Sequence, residues 1–178
     1  LDVDAGGASS KTLMAGVASG AVGAVLALDE DLSTLPGGEA ALKALGDKGS
    51  LAAIGSYRSP TTEGAAVRIP AAAYSEFEGT WVNFRGRAQR VRRGTTPRQA
   101  APAVWQTLAL ILRELGENVS FESAAEILRE VAANVPAFDG VTWTVLGGGG
   151  KQLAPGPGVP EPEPVPRSLP QPALEAAT

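Results

Sequence analysis

Two apolar runs of strand length constrain the fold more than any other feature of the sequence. They are AVGAVLAL at 21–28 and SLAAIGSY at 50–57, and each is continuous rather than alternating. Such a run is typical of a strand that is buried on both faces, as in a parallel sheet covered by helices. VRIP at 67–70 is a third, shorter candidate strand. The pattern predicts a small, mostly parallel sheet.

Segments with helical patterns precede and separate these strands. Ser9 and Ser10 can cap a helix that ends near Gly20, and GGEAALKALGDK at 37–48 has apolar residues at helical spacing. Helix, strand, helix and strand in this order are the pattern of an α/β layer. We therefore expect the fold class to be α/β, with the sheet flanked by helices through about residue 75.

The next segment, EFEGTWVNFRGRAQRVRR at 76–93, is rich in arginine. Asn83 and Gly86 hold the first and fourth positions of a type I turn, which predicts a β-hairpin with arms near 80–82 and 87–91. A single bulged strand is the alternative. Although the chain has a net charge of −4, six of its fifteen basic residues lie in this region: Arg85, Arg87, Arg90, Arg92, Arg93 and Arg98. The acidic average therefore hides one local basic patch.

Two amphipathic helices are predicted after the hairpin. The first runs from about residue 104 until Gly116 ends it, and the second covers about 122–134. The second helix is capped either by Ser120 or by a capping box of Ser123 and Glu126. We expect the two helices to pack on each other.

The last segment differs in composition from the rest of the chain. Residues 151–178 contain eight of the fourteen prolines, and they have too little apolar side chain to offset the entropy of ordering. The sequence therefore predicts an α/β domain at 1–150 and a disordered Pro-rich tail at 151–178. Four glycines at 147–150, like Gly6 and Gly7, are interpreted as hinges, because neither group has the spacing of a phosphate-binding loop.

The absence of cysteine and histidine limits the chemistry of this chain. It excludes iron–sulfur ligation by the chain itself, disulfides, and nucleophiles based on Cys or His. Asp29, Glu30 and Asp31 follow the first predicted strand, where they could hold Mg²⁺, although a solvated loop is the favoured interpretation. The longest apolar stretch, 15–28, is shorter than the roughly 20 residues that span a bilayer. We predict no metal site, no catalytic residue and no direct membrane insertion.

The segment at 61–93 resembles a motif of the molybdopterin oxidoreductase superfamily. In that motif a strand ending in Leu/Ile-Pro-Ala-Ala leads through Glu-x-Glu/Asp-Gly-Thr to Asn-x-x-Gly/Arg-Arg-x-Gln-Arg-Val. The matching positions here are Ile69, Pro70, Ala71, Ala72, Glu76, Glu78, Gly79, Thr80, Asn83, Gly86, Arg87, Gln89, Arg90 and Val91. Including the elements on either side, the resemblance covers roughly residues 10–150.

Two branches of the superfamily carry this form of the motif: formate dehydrogenases and the large iron–sulfur subunit of respiratory NADH:quinone oxidoreductase. The helices after the hairpin resemble the closing portion of the large iron–sulfur subunit, whereas the pterin-binding continuation of formate dehydrogenases is not found. The resemblance thus implies the C-terminal part of such a large subunit. The chain begins at Leu1 rather than at a methionine, which we interpret as a sign of a longer polypeptide.

This resemblance implies a non-catalytic scaffold in the peripheral arm of the respiratory complex, at the cytoplasmic face of the bacterial inner membrane. Its partners would be other subunits of the complex. We expect no cofactor on this chain, and iron–sulfur clusters in a missing N-terminal region or in partner chains. One alternative is a fragment of a molybdopterin-dependent dehydrogenase such as formate dehydrogenase, in which Arg87 and Asn83 would bind the cofactor. Another is a free-standing module that binds nucleic acid or protein.

The arginines are interpreted mainly as structural residues. Arg87 is expected to pair with Glu76 or Glu78 across the hairpin, while the other arginines face water or a neighbouring subunit. The adjacent acids disfavour nucleic-acid binding, which prefers an uninterrupted basic face with aromatics. The structural or interface candidates are Glu76, Glu78, Gly79, Asn83, Gly86, Arg87, Gln89 and Arg90.

Overall fold

The computed structural model describes residues 9–97 and 100–154. The predicted Pro-rich tail from residue 155 onward, the pair Gly6 and Gly7, and Arg98 lie outside the described residues. Within them the chain forms one parallel and one antiparallel three-stranded sheet, together with five α-helices. The predicted α/β class is therefore confirmed.

The first part of the chain is a parallel unit that alternates helices and strands. Its strand order is β1-β2-β3, with all neighbours parallel. The elements are α1 (Ser10–Ala18), β1 (Ala24–Leu28), α2 (Gly38–Lys48), β2 (Ser50–Gly55), α3 (Pro60–Gly64) and β3 (Val67–Pro70). The structure confirms the three predicted strands and the first two helices. It adds α3, whose five residues are too few to give a periodic signal.

The core of this unit lies on one face of the sheet. The register places Val25 beside Leu51 and Ala27 beside Ala53, and these side chains pack against α1 and α2. The buried cluster consists of Met14, Val17, Ala27, Leu32, Ala41, Leu45, Leu51, Ala53 and Ala65. Because side chains alternate along a strand, the intervening positions point to the other face.

That other face is partly open along β1. Leu26 and Leu28 are 45% and 43% exposed. The prediction that the first strand is buried on both faces is therefore wrong. The reason is topological: β1 is an edge strand, and both long helices of the unit pack on the same side of it. A continuous apolar run does not reveal whether a second layer is present.

The second part is an antiparallel unit. It consists of β4 (Gly79–Val82), β5 (Arg87–Val91) and β6 (Lys151–Gln152) in the order β4-β5-β6. The first two strands confirm the predicted hairpin and exclude the single bulged strand. β6 extends the sheet into residues that the sequence assigned to the tail, because a two-residue strand has no recognisable pattern.

Two further helices, α4 (Val104–Glu114) and α5 (Ala124–Asn134), lie between β5 and β6 in the sequence. The Ser123 hydroxyl accepts the amide of Glu126 at 3.3 Å, so Ser123 rather than Ser120 caps the helix. The reciprocal bond of a capping box does not form, because the Glu126 carboxylate accepts the amide of Glu122 at 2.8 Å. α5 packs on β4 and on the 3-10 helix Pro136–Phe138, whereas contacts between α4 and α5 are few. The helix pair is thus looser than the prediction of two packed helices implies.

The core of the antiparallel unit is small. Its buried residues are Ala88, Leu128, Val141, Leu146 and Leu153, against which Phe138 and Trp143 pack. Helix α4 contributes nothing to it. Leu110 on that helix is 52% exposed, and Leu115, which directly follows the helix, is 74% exposed. None of the helices in the described ranges is long and apolar enough to cross a membrane.

Candidate functional site

The turn of the hairpin is built around Asn83. Its side-chain oxygen accepts the amides of Arg85 and Arg87 at 2.9 and 3.0 Å, and its carbonyl accepts the amide of Gly86 at 2.9 Å. Gly86 has a φ of +70°, a value that glycine adopts without strain. The predicted importance of these two residues therefore has a local cause, the closing of the turn.

Arg87 binds the glycine segment, the four glycines at 147–150, rather than a carboxylate. Its Nε donates to the carbonyl of Gly149 at 2.7 Å and its Nη2 donates to the carbonyl of Gly150 at 3.2 Å. The predicted ion pair between Arg87 and Glu76 or Glu78 is therefore wrong. The cause is the alternation of side chains along a strand. Glu78 lies on the same face as Thr80, two residues later, and Thr80 lies opposite Arg90 in the register. Arg90 therefore shares a face with Glu78, whereas Arg87 lies on the other face.

Arg90 makes the ion pair that was predicted for Arg87. Its Nη2 lies 3.0 Å from Oε2 of Glu78, and its guanidinium lies over the ring of Trp143, 4.4 Å from the centroid. Its Nε is buried without a hydrogen-bond partner among the described residues. A guanidinium on an indole face is attractive by about 1 kcal/mol. Through its contact with Trp143, Arg90 thus joins the hairpin to the segment that leads into β6.

The glycine segment passes so close to β5 that it tolerates no side chain at one position. Gly150 has a φ of +81°, and a Cβ there would meet the carbonyl oxygen of Ala88. Beyond it, the side-chain amide of Gln152 donates to the carbonyl of Arg85 at 2.7 Å, and the amide of Leu153 donates to the carbonyl of Gly86 at 3.0 Å. The segment interpreted as a hinge is therefore part of the antiparallel unit.

The remaining hairpin candidates have less specific environments. The carboxylate of Glu76 accepts the amide of Ala73 at 2.9 Å and so shapes the approach to β4. Gln89 is exposed and lies opposite Trp81 in the register. Gly79 is the first residue of β4.

A cleft of about 560 Å³ opens beside the hairpin. It lies between the segment before β4, the chain just after β5, and the first residues of α4 and α5. Its charged lining is Arg90, Arg92, Arg93, Glu76, Glu78 and Glu122, and Phe77 and Trp105 add aromatic surface. Sequence reasoning recognised the arginines but not the cleft, which brings together residues from four stretches of the chain.

Arg92 and Arg93 differ from the other arginines of the hairpin. Both are exposed, and neither forms an ion pair with a described residue. By contrast, Arg87 and Arg90 have defined partners within the chain. Arg85 also has no ion pair with a described residue, but it is half-buried and its guanidinium lies over the ring of Phe84, 5.1 Å from the centroid. Arg92 and Arg93 therefore supply exposed, unpaired positive charge just beyond the end of β5.

The acidic cluster after β1 holds the carboxyl ends of the strands together. Asp29, at φ +52°, accepts both the amide and the hydroxyl of Ser56 through Oδ1, at 2.7 and 2.8 Å. Because Ser56 directly follows β2, these bonds join the ends of two neighbouring strands. Within the described ranges, no three acidic side chains are arranged to hold a metal ion.

Asp31 has a similar structural role. Its Oδ1 accepts the hydroxyls of Ser33 and Thr61, each at 2.9 Å, and Thr61 in turn accepts the amide of Leu32 at 2.7 Å. Desolvation raises the pKa of Asp31, but the hydrogen bonds from Ser33 and Thr61 outweigh it, so the pKa lies below its ordinary value. The carboxylate is thus held in its charged form by the loop.

Tyr57 stands beside this loop. Desolvation raises the pKa of its phenol, and the negative charges of Asp29, Glu30 and Asp31 raise it further. Tyr57 is half exposed. It therefore stays protonated at neutral pH and supplies no phenolate for chemistry at this edge of the sheet.

No protein-family model matches the chain, but several curated proteins do. The G 2 subunit of the NADH-quinone oxidoreductase of Rhizobium meliloti is 33% identical over 134 residues, which is 74% of this chain and 16% of that protein. The alpha subunit of F420-dependent formate dehydrogenase 2 of Methanococcus maripaludis is 37% identical over 103 residues, or 54% of this chain and 14% of that protein. The chain belongs to the molybdopterin oxidoreductase superfamily. The superfamily predicted from the hairpin motif is thereby confirmed.

A third relative of this superfamily member is the alpha subunit of an NADPH-Fe(3+) oxidoreductase of Geobacter sulfurreducens. It is 30% identical over 133 residues, covering 74% of the chain and 16% of that protein. The chain spans between 14% and 16% of the length of these three curated relatives.

Membership of the superfamily raises the question of whether the two residues assigned to a pterin cofactor fit that role. They do not fit in this arrangement. Arg87 directs two donors at the carbonyls of Gly149 and Gly150, and Asn83 uses its side-chain oxygen inside the turn. These contacts are explained by the packing of the hairpin within the described residues.

Proposed function

We propose that this chain is a scaffold portion of the large iron–sulfur subunit of an NADH:quinone oxidoreductase. In this role it supports electron transfer from NADH to quinone without carrying a cluster. The observation that carries the proposal is the similarity to an NADH-quinone oxidoreductase subunit across 74% of the chain. The structural use of Arg87 and Asn83 supports it, because the motif residues of the hairpin serve the fold itself.

The proposal includes the location and partners of the chain. The iron–sulfur clusters belong to other parts of the large subunit or to partner chains, since this sequence contains no cysteine. The chain lies at the cytoplasmic face of the bacterial inner membrane as a peripheral part of the complex. Its partners are other subunits of that complex, a view supported by relatives that are themselves named as subunits of oxidoreductases.

The composition of the native complex tests this function. The complex that contains the chain would be purified by an affinity tag, and its iron, flavin, molybdenum and tungsten would be quantified. We expect iron and flavin to co-purify, NADH to reduce a quinone analogue, and neither molybdenum nor tungsten to be present in stoichiometric amount. A stoichiometric molybdenum or tungsten centre, together with formate oxidation and no quinone reduction by NADH, would contradict the proposal.

The second candidate function is a part of a molybdopterin-dependent dehydrogenase. It is favoured by the 37% identity to the formate dehydrogenase subunit, which is higher than the 33% identity to the NADH-quinone oxidoreductase subunit but covers 54% of the chain rather than 74%. The same purification separates the two candidates through the metal content and the electron donor.

A further inference from the structure

The cleft beside the hairpin contains two arginines, Arg92 and Arg93, that form no ion pair with a described residue. Resting on the proposed function, we propose that this cleft binds an acidic segment of a partner subunit, with its carboxylates on Arg92 and Arg93. The partner segment thereby becomes the counterion that the described residues do not supply.

Two positive charges in the cleft have no ion pair among the described residues. Glu78 is paired with Arg90 at 3.0 Å, and Glu76 accepts the amide of Ala73. Arg92 and Arg93 line the cleft without an ion pair to any residue of the described ranges. Both arginines add positive charge to one cleft, and a bound carboxylate offsets that charge through charge-assisted hydrogen bonds.

The acidic side chains of the cleft limit the kind of anion that can bind. Glu76, Glu78 and Glu122 also line the cleft, so a ligand with several concentrated negative charges, such as a polyphosphate, would meet repulsion from three carboxylates. Arg92 and Arg93 outnumber Glu122, which also has no ion pair among the described residues, by one charge, so one carboxylate of a peptide completes the balance. A guanidinium also binds a carboxylate through two parallel hydrogen bonds, which fixes its orientation.

The rest of the lining favours a peptide. Phe77 and Trp105 offer aromatic surface, which suits the apolar side chains of a peptide better than a small ion. The 11-residue helices α4 and α5 both begin at the cleft, so the positive ends of their dipoles add to the field that favours an anion. A volume of about 560 Å³ accommodates several side chains.

The test uses the purified complex and an introduced amine. In the double variant Arg92→Lys/Arg93→Lys the positive charge is kept, and a carbodiimide then joins each new amine to a carboxylate in direct contact. We expect mass spectrometry to find a cross-link from position 92 or 93 to an Asp or Glu of a partner subunit. The matched control is Arg68→Lys/Arg129→Lys, which changes two exposed arginines that lie outside the cleft and have no ion pair among the described residues. We expect at least a tenfold lower yield from the control.

A charge reversal provides the second measurement. Arg92→Glu/Arg93→Glu is expected to lower the amount of partner subunit retained on the tagged chain at least tenfold, whereas Arg68→Glu/Arg129→Glu changes it less than twofold. Circular dichroism of both variants checks that the fold is intact. If the reversed variant is unfolded, the cross-linking result alone decides.

The outcomes separate this inference from the proposed function. An intact NADH:quinone oxidoreductase in which positions 92 and 93 cross-link only within the chain, or no more than the control positions, would overturn the inference and leave the function standing. A complex of a different type would overturn the function. Protection of the introduced amines by added inorganic pyrophosphate, without any cross-link to protein, would identify a small-anion site and also overturn the inference.

Discussion

The parallel and antiparallel units of this protein are held together by different forces. The parallel unit has an apolar core drawn from two helices, two strands, Leu32 and Ala65, and all of its core residues lie between Met14 and Ala65. The antiparallel unit has five buried core residues, and polar contacts join its distant segments. There Arg87 and Arg90 bind a stretch that follows the hairpin by about sixty residues.

The chain thus combines two ways of stabilising a fold. Apolar burial is not directional, so the parallel unit depends mainly on filled volume. The antiparallel unit depends on matched donors and acceptors, and on a backbone approach that only glycine permits. Substitutions that change side-chain volume should therefore destabilise the parallel unit most. Substitutions that change backbone geometry or charge should destabilise the antiparallel unit.

The largest effect is expected from Leu45→Ala in the parallel unit. Leu45 is 3% exposed within the core, so removal of its side chain leaves a cavity and should lower the free energy of unfolding by about 2–5 kcal/mol. Urea denaturation followed by far-ultraviolet circular dichroism measures this change. Leu110→Ala is the control, because that residue is 52% exposed and its truncation should cost about 0.5 kcal/mol or less. Equal costs at the two positions would refute the assignment of the core.

A smaller loss is expected from Gly150→Ala in the antiparallel unit. The φ of +81° and the carbonyl of Ala88 oppose a methyl group there, which should cost about 1–3 kcal/mol. Gly148→Ala is the control, since its φ is −101° and nothing lies within 4 Å of the added Cβ. Denaturation followed by tryptophan fluorescence compares the two. If both variants are as stable as the unmodified chain, the close approach of the glycine segment to β5 is refuted.

The ion pair of the antiparallel unit should contribute still less. Glu78→Gln removes the charge partner of Arg90 but leaves the guanidinium on Trp143. Because Glu78 is 47% exposed, we expect a loss of about 0–1 kcal/mol, reduced further by 1 M salt. Glu63→Gln is the control, as its pair with Arg58 is more exposed. A loss above about 2 kcal/mol would show that this ion pair contributes as much to the free energy of unfolding as a buried apolar side chain of the core.

The smallest difference is expected in the pH dependence of the parallel unit. The folded pKa of Asp31 lies below its ordinary value, so its stabilising contribution is present above the unfolded-state pKa of about 4 and is lost as the pH falls through the folded pKa. Between about pH 5 and pH 2 the unmodified chain should therefore lose stability more steeply than Asp31→Asn. Denaturation midpoints at several pH values measure the slopes, and identical slopes would contradict this role of Asp31.

Much of the fold was predictable because local patterns determine it. Ser9 at the start of α1, the apolar runs of β1 and β2, and the spacing of Asn83 and Gly86 each act over a few residues. The superfamily was recognisable for the same reason, since its motif is a continuous stretch. The candidate site was predicted only in part: the residues of the hairpin were identified, but their partners were not.

The errors concern contacts between segments that are far apart in the sequence. The sequence did not indicate that one face of β1 stays open, that Lys151 and Gln152 add a third strand, or that Arg87 binds carbonyls instead of a carboxylate. The cleft around Arg92 was missed for the same reason, because segments that are far apart in the sequence form it. Each of these depends on which layers form and on which face of a strand a side chain lies.

The sequence alone determined the order of helices and strands, the hairpin turn and the superfamily, because hydrophobic periodicity, capping and turn chemistry are properties of neighbouring residues. Only the tertiary structure decided that Arg90 rather than Arg87 meets Glu78 and that Arg92 and Arg93 have no described counterion. The physical reason is that a charge selects its partner by distance and strand face in three dimensions, and neither quantity is encoded by spacing along the chain.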